Sequence, residues 1–186
     1  MRSIFPVPLL ALLLLSACRS DPVHYHTLTP LHSAKAMQVQ TAQELRIERV
    51  TVPPQVDRSQ IVVRQGANEL VVLETDWWGA SLVDEVQSAL IDQLNSRPGI
   101  DQKAWLRIEL QRFDLVPGQY ALVDVRWRLR AGQPGSENAS ELVCRSVLQT
   151  PAGTAVEDLV MAQQVNLQKL AATISATNRA GSRQCP

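Results

Sequence analysis

The second half of the chain alternates apolar and polar residues over three successive segments. The alternation covers residues 104–113, 120–130 and 141–149. A period of two predicts β-strands with one buried face and one solvated face, as in an antiparallel sheet. The turn residues Pro117 and Gly118, and the Gly-, Pro- and Ser-containing segment 131–140, separate the three predicted strands. In the third strand Cys144 falls on the apolar face, so we expect it to point inward.

The first half also contains segments typical of strands, although they are shorter. The sequence HYHTL at residues 24–28 predicts a first strand, and residues 45–53 predict a second one. The alternation slips near Arg49, which indicates a β-bulge. Two β-branched runs at residues 60–65 and 69–74 flank Gly66, Ala67 and Asn68, so we expect a hairpin there.

Two segments carry apolar residues at helical spacing. The first stripe contains Leu82, Val86, Leu90 and Leu94, and Ser81 with Asp84 resembles a capping box. A second helix is predicted from Thr154 to about residue 178. Its apolar stripe, which one polar residue interrupts, consists of Val156, Leu159, Val160, Gln163, Leu167, Leu170 and Ile174. We therefore predict an α+β fold with two layers: a mainly antiparallel sheet and two amphipathic helices on one face. This single domain is expected to cover residues 24–180, followed by a C-terminal tail at 181–186.

The first 17 residues are typical of a secretory leader. Arg2 precedes an apolar run at residues 4–15, which as a helix would rise about 18 Å, too short for a hydrocarbon core of about 30 Å. The alternative is a buried N-terminal helix. Leu15-Ser16-Ala17-Cys18 resembles a bacterial lipobox, which implies cleavage before Cys18 and acylation of its thiol. We therefore expect a signal peptide at 1–17 and a lipidated tether at 18–23; ordinary cleavage with a free thiol is the competing interpretation.

The chain has three cysteines, an odd number for a secreted protein. If Cys18 carries lipid, Cys144 and Cys185 remain, and an oxidising compartment would allow them to form a disulfide. The alternative is a buried thiol at Cys144 and a solvent-exposed thiol at Cys185. We expect the disulfide, which would also hold the C-terminal tail.

The residues give little support for catalysis, metal binding or nucleic-acid binding. Basic and acidic residues balance at 18 each, whereas nucleic-acid binders usually carry a basic excess. Of the histidines His24, His26 and His32, the first two share a strand face, but no clear third ligand accompanies them. Motifs for nucleotide binding and for a serine nucleophile are absent from the sequence. We expect no enzyme activity, no metal, and no cofactor beyond a covalent lipid on Cys18.

The sequence DWWG at residues 76–79 places two tryptophans next to each other, before the first helix. Adjacent side chains cannot both enter one small core, and exposed Trp is enriched at protein interfaces and membrane boundaries. Either one ring is available to a partner, with Trp77 the preferred candidate because Trp78 is nearer the helical stripe, or one Trp packs beneath the helix while the other covers its end.

These motifs together resemble the PqiC/YmbA family of ABC-type transport auxiliary lipoproteins. Besides the lipobox and the strand after the tether, the resemblance is carried by the pattern P-x-x-x-D-R-x-Q-I-V-x-R, a short turn, E-L and a Trp before the first helix. Its residues here are Pro53 or Pro54, Asp57, Arg58, Gln60, Ile61, Val62, Arg64, Glu69, Leu70 and Trp78. The doubled tryptophan and the pair Cys144 and Cys185 depart from this pattern.

The resemblance implies a function in the envelope of a Gram-negative bacterium. Such lipoproteins accompany MCE-domain proteins that build a periplasmic conduit for lipids, and they are expected at the outer membrane as rings that dock the conduit and support envelope integrity. A stand-alone envelope-maintenance lipoprotein is the alternative. Asp57, Arg58, Trp77 and Trp78 are the candidate partner interface, although for Asp57 and Arg58 we favour a structural role: a turn after Pro53-Pro54 with Arg58 pairing locally.

Overall fold

The computed structural model describes residues 21–31, 45–95, 104–131, 140–179 and 184–186. The predicted leader at 1–17, Cys18 and His32 lie outside these residues. The described chain forms seven strands and two helices: β1 His24–His26, β2 Leu45–Thr51, β3 Gln60–Arg64, β4 Leu70–Trp78, α1 Leu82–Asn95, β5 Ala104–Val116, β6 Tyr120–Ala131, β7 Ser140–Pro151 and α2 Val156–Arg179. The predicted α+β class is confirmed, and every strand and helix predicted from the sequence is present.

The strands divide between two sheets. The first has the order β1-β4-β3 and the second has the order β2-β5-β6-β7. β1 pairs with β4 in parallel and β2 pairs with β5 in parallel, whereas the remaining pairs are antiparallel. The periodicity of a strand reports which residues are buried but not which strand lies beside it, so the division into two sheets was not visible in the sequence.

The irregular strand features lie where the sequence placed them, with one exception. The β3–β4 turn closes through a hydrogen bond from the Gln65 N–H to the Glu69 carbonyl (3.0 Å), and Gly66 adopts a φ of 84°, a conformation that favours glycine. The register of β2 shifts between Ile47 and Arg49, as the slipped alternation predicted. The exception is β4, which was predicted to end at Glu74 and continues to Trp78, so the two tryptophans are the last residues of this strand.

The main core lies between the four-stranded sheet and the helices. α2 packs on β5, β6 and β7, while α1 packs on α2 and β2. Trp127 and Ile108 of the sheet, and Leu167 of α2, are fully buried. The polar interruption of the α2 stripe is also buried, because Gln163 donates from Nε2 to the carbonyls of Asp114 and Leu122 (3.3 and 3.0 Å).

Ser81 caps α1 as the sequence indicated. Its hydroxyl accepts the Asp84 backbone N–H (3.1 Å) and donates to the Asp84 carboxylate (2.7 Å). Within the described ranges, neither helix has the length and apolar character that crossing a membrane requires.

Candidate functional site

Several residues of the family pattern meet at one end of the three-stranded sheet, while Arg64, Glu69 and Leu70 lie at its other end, beside the β3–β4 turn. The last residues of β4 lie between two strands: Tyr25 of β1 and Gln60 of β3 are both register partners of Trp77. The Ser59 carbonyl accepts the Trp78 N–H at 2.7 Å, which ties the chain just before β3 to the end of β4. This end of the sheet therefore joins the N-terminal strand, the tryptophan pair and the turn before β3.

The chain after β1 is held by a group of residues that we call the N-terminal clamp: Thr27, Leu28, Glu85 and Gln164. One carboxylate oxygen of the buried Glu85 accepts both the Thr27 hydroxyl and the Leu28 N–H, each at 2.8 Å. The Gln164 side chain of α2 donates to the Thr27 carbonyl at 3.0 Å. The segment that follows the predicted tether is thus fixed to both helices.

Glu85 is the residue of this clamp that the sequence did not reveal. An acid in the first turn of a helix is ordinarily explained by the helix dipole, and Glu85 fits that explanation. The available signal was its place on the apolar stripe, three residues after Leu82 and four before Ala89. Gly79 belongs to the same environment, because a Cβ at this position would lie 3.1 Å from the other Glu85 carboxylate oxygen.

The histidines of β1 do not form a metal site with the described residues. His26 Nε2 lies 2.9 Å from an Asp76 carboxylate oxygen, and Thr75 donates its hydroxyl to the other oxygen at 3.0 Å. The parallel pairing of β1 with β4 brings Asp76 to this position, which the sequence could not show. His24 is exposed, and within the described ranges no three His, Cys, Asp or Glu side chains are grouped closely enough to hold a metal ion.

The two tryptophans point to different environments. Trp78 is 3% exposed and packs edge-on against Phe113, with ring centroids 6.1 Å apart. Its burial corrects the expectation that Trp78 belongs to a partner interface, because the ring has no surface to offer. Trp77 is partly exposed, and its indole N–H donates to the Glu74 carbonyl at 2.9 Å.

Asp57 and Arg58 lie in the turn that was predicted after the double proline. The Val56 N–H donates to the Pro53 carbonyl at 3.0 Å, and the Arg58 N–H donates to the Val56 carbonyl at 2.9 Å. Both side chains are exposed. The expected local pairing of Arg58 is wrong with respect to the described residues, since its side chain forms no ion pair with any of them.

Cys144 is buried on the helix-facing side of β7, as its place in the alternation indicated. Cys144 and Cys185 are joined by a disulfide that closes a sequence separation of 41 residues. The disulfide attaches the C-terminal residues, which follow α2 in the chain, to β7.

The outer face of the four-stranded sheet is a network of ion pairs. Asp124 is buried and accepts two hydrogen bonds from Arg145, at 2.8 and 2.6 Å. The hydrogen bond from Arg145 lowers the pKa of the Asp124 carboxyl below its usual value, opposed by burial and assisted by the charges of Arg145 and Arg112. Glu48 bridges Arg107 and Arg130 at 2.6 and 2.7 Å. These arginines are largely neutralised by carboxylates, which supports a mixed solvated face over an anion-binding site.

Comparison with solved structures places the fold among known ones. A crystal structure titled as an uncharacterized protein superposes with a TM-score of 0.66 at 15% identity, covering 84% of this chain and 98% of that one. Protein XCC0632 from Xanthomonas campestris, of the family DUF330, gives a TM-score of 0.56 at 15% identity, covering 86% and 93% of the two chains. At these identities the likeness concerns the fold alone. No curated protein matches this chain.

The family comparison covers most of the chain. Residues 26–175 match the model of the ABC-type transport auxiliary lipoprotein component, a range that includes β2 to β7 and α1 in full, the last residue of β1, and α2 as far as residue 175. This is a family of transport auxiliary lipoproteins and not an enzyme family. The match confirms the resemblance that the segment from Asp57 to Trp78 indicated: the chain belongs to the family of ABC-type transport auxiliary lipoprotein components, the family of PqiC and YmbA.

Proposed function

We propose that this chain is the outer-membrane-anchored lipoprotein subunit of an MCE-type intermembrane lipid transport system. The observation that carries the proposal is the family match over residues 26–175. In this role the protein docks the end of a periplasmic lipid conduit and thereby supports the integrity of the envelope. The role is one of attachment and assembly rather than catalysis.

The anchor in this proposal is Cys18, with acyl chains on its thiol and on the amine freed by cleavage. Each buried CH₂ contributes about 0.8 kcal/mol, so several chains hold a protein to a bilayer far more durably than one chain does. Arg19, directly after the anchor, is compatible with transfer to the outer membrane. The N-terminal clamp supports this use of the segment, because a pull on the tether is transmitted to both helices through Glu85 and Gln164.

The partner in this proposal is an MCE-domain protein, met by a homo-oligomeric ring of this chain. Asp57 and Arg58 are suited to a protein contact, since both are exposed and neither forms an ion pair with a described residue. Exposed charges of this kind guide association and partner choice more than they add affinity.

The mass of the mature protein from envelope membranes tests the anchor. We expect a chain that begins at Cys18 and is heavier than its amino-acid mass by the attached acyl groups. Cys18→Ala should abolish the added mass and release the chain from the membrane fraction or leave it unprocessed. An unacylated mature chain would overturn the anchor, and membrane retention of Cys18→Ala would show that another feature holds the protein.

The native mass of the purified protein tests the ring. At tens of micromolar we expect a closed oligomer of one defined size. A monomer under these conditions would remove the ring from the proposal while leaving the anchor in place.

A further inference from the structure

Three side chains remain exposed where the chain enters the fold. Tyr25 is 69% exposed and Val23 is 43% exposed, while Trp77 is partly exposed beside them. We call these three residues the β1 surface. Tyr25 lies on the edge strand β1 and Trp77 on the central strand β4, so an exposed and a partly exposed aromatic ring share one register position.

The strand geometry places both rings on one face. Tyr25 and Trp77 are register partners in neighbouring strands, so their side chains project to the same side of the sheet. The next pair, His26 and Trp78, projects to the other side, where Trp78 is buried. The β1 surface is therefore the outer face of this end of the sheet, opposite the core.

The distance to the proposed anchor is short. Tyr25 is seven positions after Cys18, and a fully extended chain covers at most about 3.6 Å per position, or roughly 25 Å in total. The N-terminal clamp holds the chain immediately after β1, so the tether cannot lengthen by peeling Thr27 and Leu28 away without breaking the Glu85 hydrogen bonds. Acyl chains on Cys18 would thus keep the β1 surface within about 25 Å of the lipid headgroups.

We infer that the β1 surface is a second membrane contact, in which Tyr25 and Trp77 enter the headgroup region of the phospholipid layer that holds the acyl chains of Cys18. The inference rests on the lipoprotein anchor proposed above. Tyr and Trp have apolar rings with one polar end, which suits them to the boundary between hydrocarbon and water. Few side chains are needed, because the anchor makes this second contact intramolecular. The contact fixes which side of the domain faces the membrane and which side faces the periplasm.

Tryptophan fluorescence can locate the contact, because the chain contains its own control. Of the four tryptophans, Trp105 is also partly exposed, but it lies on the other sheet. Trp105 precedes Phe113 by eight residues on β5, roughly 26 Å along a strand, and Phe113 contacts Trp78. Trp105 therefore lies in a different part of the molecule from Trp77, so a bilayer contact confined to the β1 surface includes Trp77 and not Trp105.

The experiment uses the full acylated protein in vesicles of phosphatidylethanolamine and phosphatidylglycerol, with and without phospholipids brominated on their acyl chains. We expect bromine to quench the wild-type fluorescence. Trp77→Phe should remove at least half of that quenching, and Trp105→Phe should leave it intact. Tyr25→Trp in the Trp77→Phe background should restore it. An unchanged thermal unfolding midpoint for each variant shows that the fold is preserved.

Quenching that is the same in Trp77→Phe as in wild type would overturn the inference, and so would quenching that disappears in Trp105→Phe. A Trp77→Phe protein with unchanged quenching but weaker co-isolation of the transporter protein would assign the β1 surface to a protein partner instead. The mass of the chain separates these outcomes from a failed anchor. An unacylated chain overturns the anchor and the inference together, whereas an acylated chain without Trp77-dependent quenching overturns the inference alone.

Discussion

The two sheets of this protein differ in strand length and in the character of their outer faces. The four-stranded sheet has three strands of 12 or 13 residues, an apolar face covered by α2, and an outer face of paired charges. The three-stranded sheet has strands of three, five and nine residues, and it leaves Tyr25 exposed and Trp77 partly exposed. The long sheet carries most of the helix-covered core, whereas the residues of the family pattern and the attachment of the tether lie in or beside the short one.

This contrast shows why an exposed aromatic has different meanings in the two regions. On the four-stranded sheet, Arg130 lies 5.7 Å above the ring of Trp105, so this ring is part of the charged network of its own sheet. On the three-stranded sheet, the Trp77 ring donates its N–H to the Glu74 carbonyl, and among the described residues it has no ring–ring or cation–π partner. A ring without such a partner is the better candidate for an external contact.

The largest effect is expected in the core of the four-stranded sheet. Ile108→Ala should lower the free energy of unfolding by about 2–5 kcal/mol, because it removes a fully buried side chain and leaves a cavity. Val143→Ala is the matched control: it lies on the outer face, is 46% exposed, and should change stability by no more than about 0.5 kcal/mol. Urea denaturation measures both. Similar losses for the two variants would break the assignment of the core to the helix-facing side.

The next effect is expected from the disulfide. Replacing both cysteines by alanine should lower the free energy of unfolding by about 3–4 kcal/mol in the chain-entropy model, given the 41-residue separation. The wild-type protein should lose the same stability on reduction, and the double variant should not respond to reductant. Without reductant, the mass of the chain should be lower by two hydrogens than the mass expected with both cysteines as free thiols. Two alkylatable thiols in freshly isolated protein would contradict this prediction.

A smaller effect is expected at the N-terminal clamp. Glu85→Ala leaves the buried Leu28 N–H without its acceptor, which should cost about 1–3 kcal/mol and accelerate hydrogen exchange at the Leu28 amide. Glu85→Gln retains an acceptor oxygen and should have a weaker effect on exchange. Glu157→Ala, an exposed acid in the first turn of α2, is the matched control. If Glu157→Ala accelerated exchange at Leu28 as strongly, the clamp would have no specific role.

The smallest effect is expected on the charged outer face, and it depends on pH. The pKa of Asp124 is lowered in the folded protein by Arg145, so the pair stabilises the fold above the unfolded pKa of about 4 and loses this contribution as pH falls toward the folded value. Arg145→Met should therefore be less stable than wild type at pH 7. The difference in stability between the two proteins should become smaller as the pH falls below about 4. Thermal unfolding across pH measures this.

Arg126→Met is the control for this pH dependence. Arg126 is exposed on the same face and forms no ion pair with a described residue. Its replacement should shift the unfolding temperature equally at all pH values. A difference between wild type and Arg145→Met that stays constant from pH 7 to pH 3 would contradict the role assigned to the Asp124 and Arg145 pair.

The sequence predicted the four-stranded sheet well and the three-stranded sheet less completely, for a physical reason. Alternation along β5, β6 and β7 follows directly from burial of one sheet face, so these strands and the inward position of Cys144 were readable. The pairing of His26 with Asp76 spans 50 residues and depends on the parallel register of β1 with β4, which leaves no periodic signal. The buried role of Glu85 was hidden because a first-turn acid already has a sufficient local explanation.

The central claim is that this lipoprotein meets an MCE-domain protein of a lipid transport system, and site-specific crosslinking in intact envelopes tests it most directly. A photoreactive residue that replaces Asp57 in the acylated protein should yield a crosslinked species. Its peptides should include sequences from an MCE-domain protein. The same residue at the exposed Val147 of the four-stranded sheet is the control and should yield much less of it. An acylated, folded protein that forms no adduct with an MCE-domain protein from either position would contradict the claim and favour a stand-alone envelope lipoprotein.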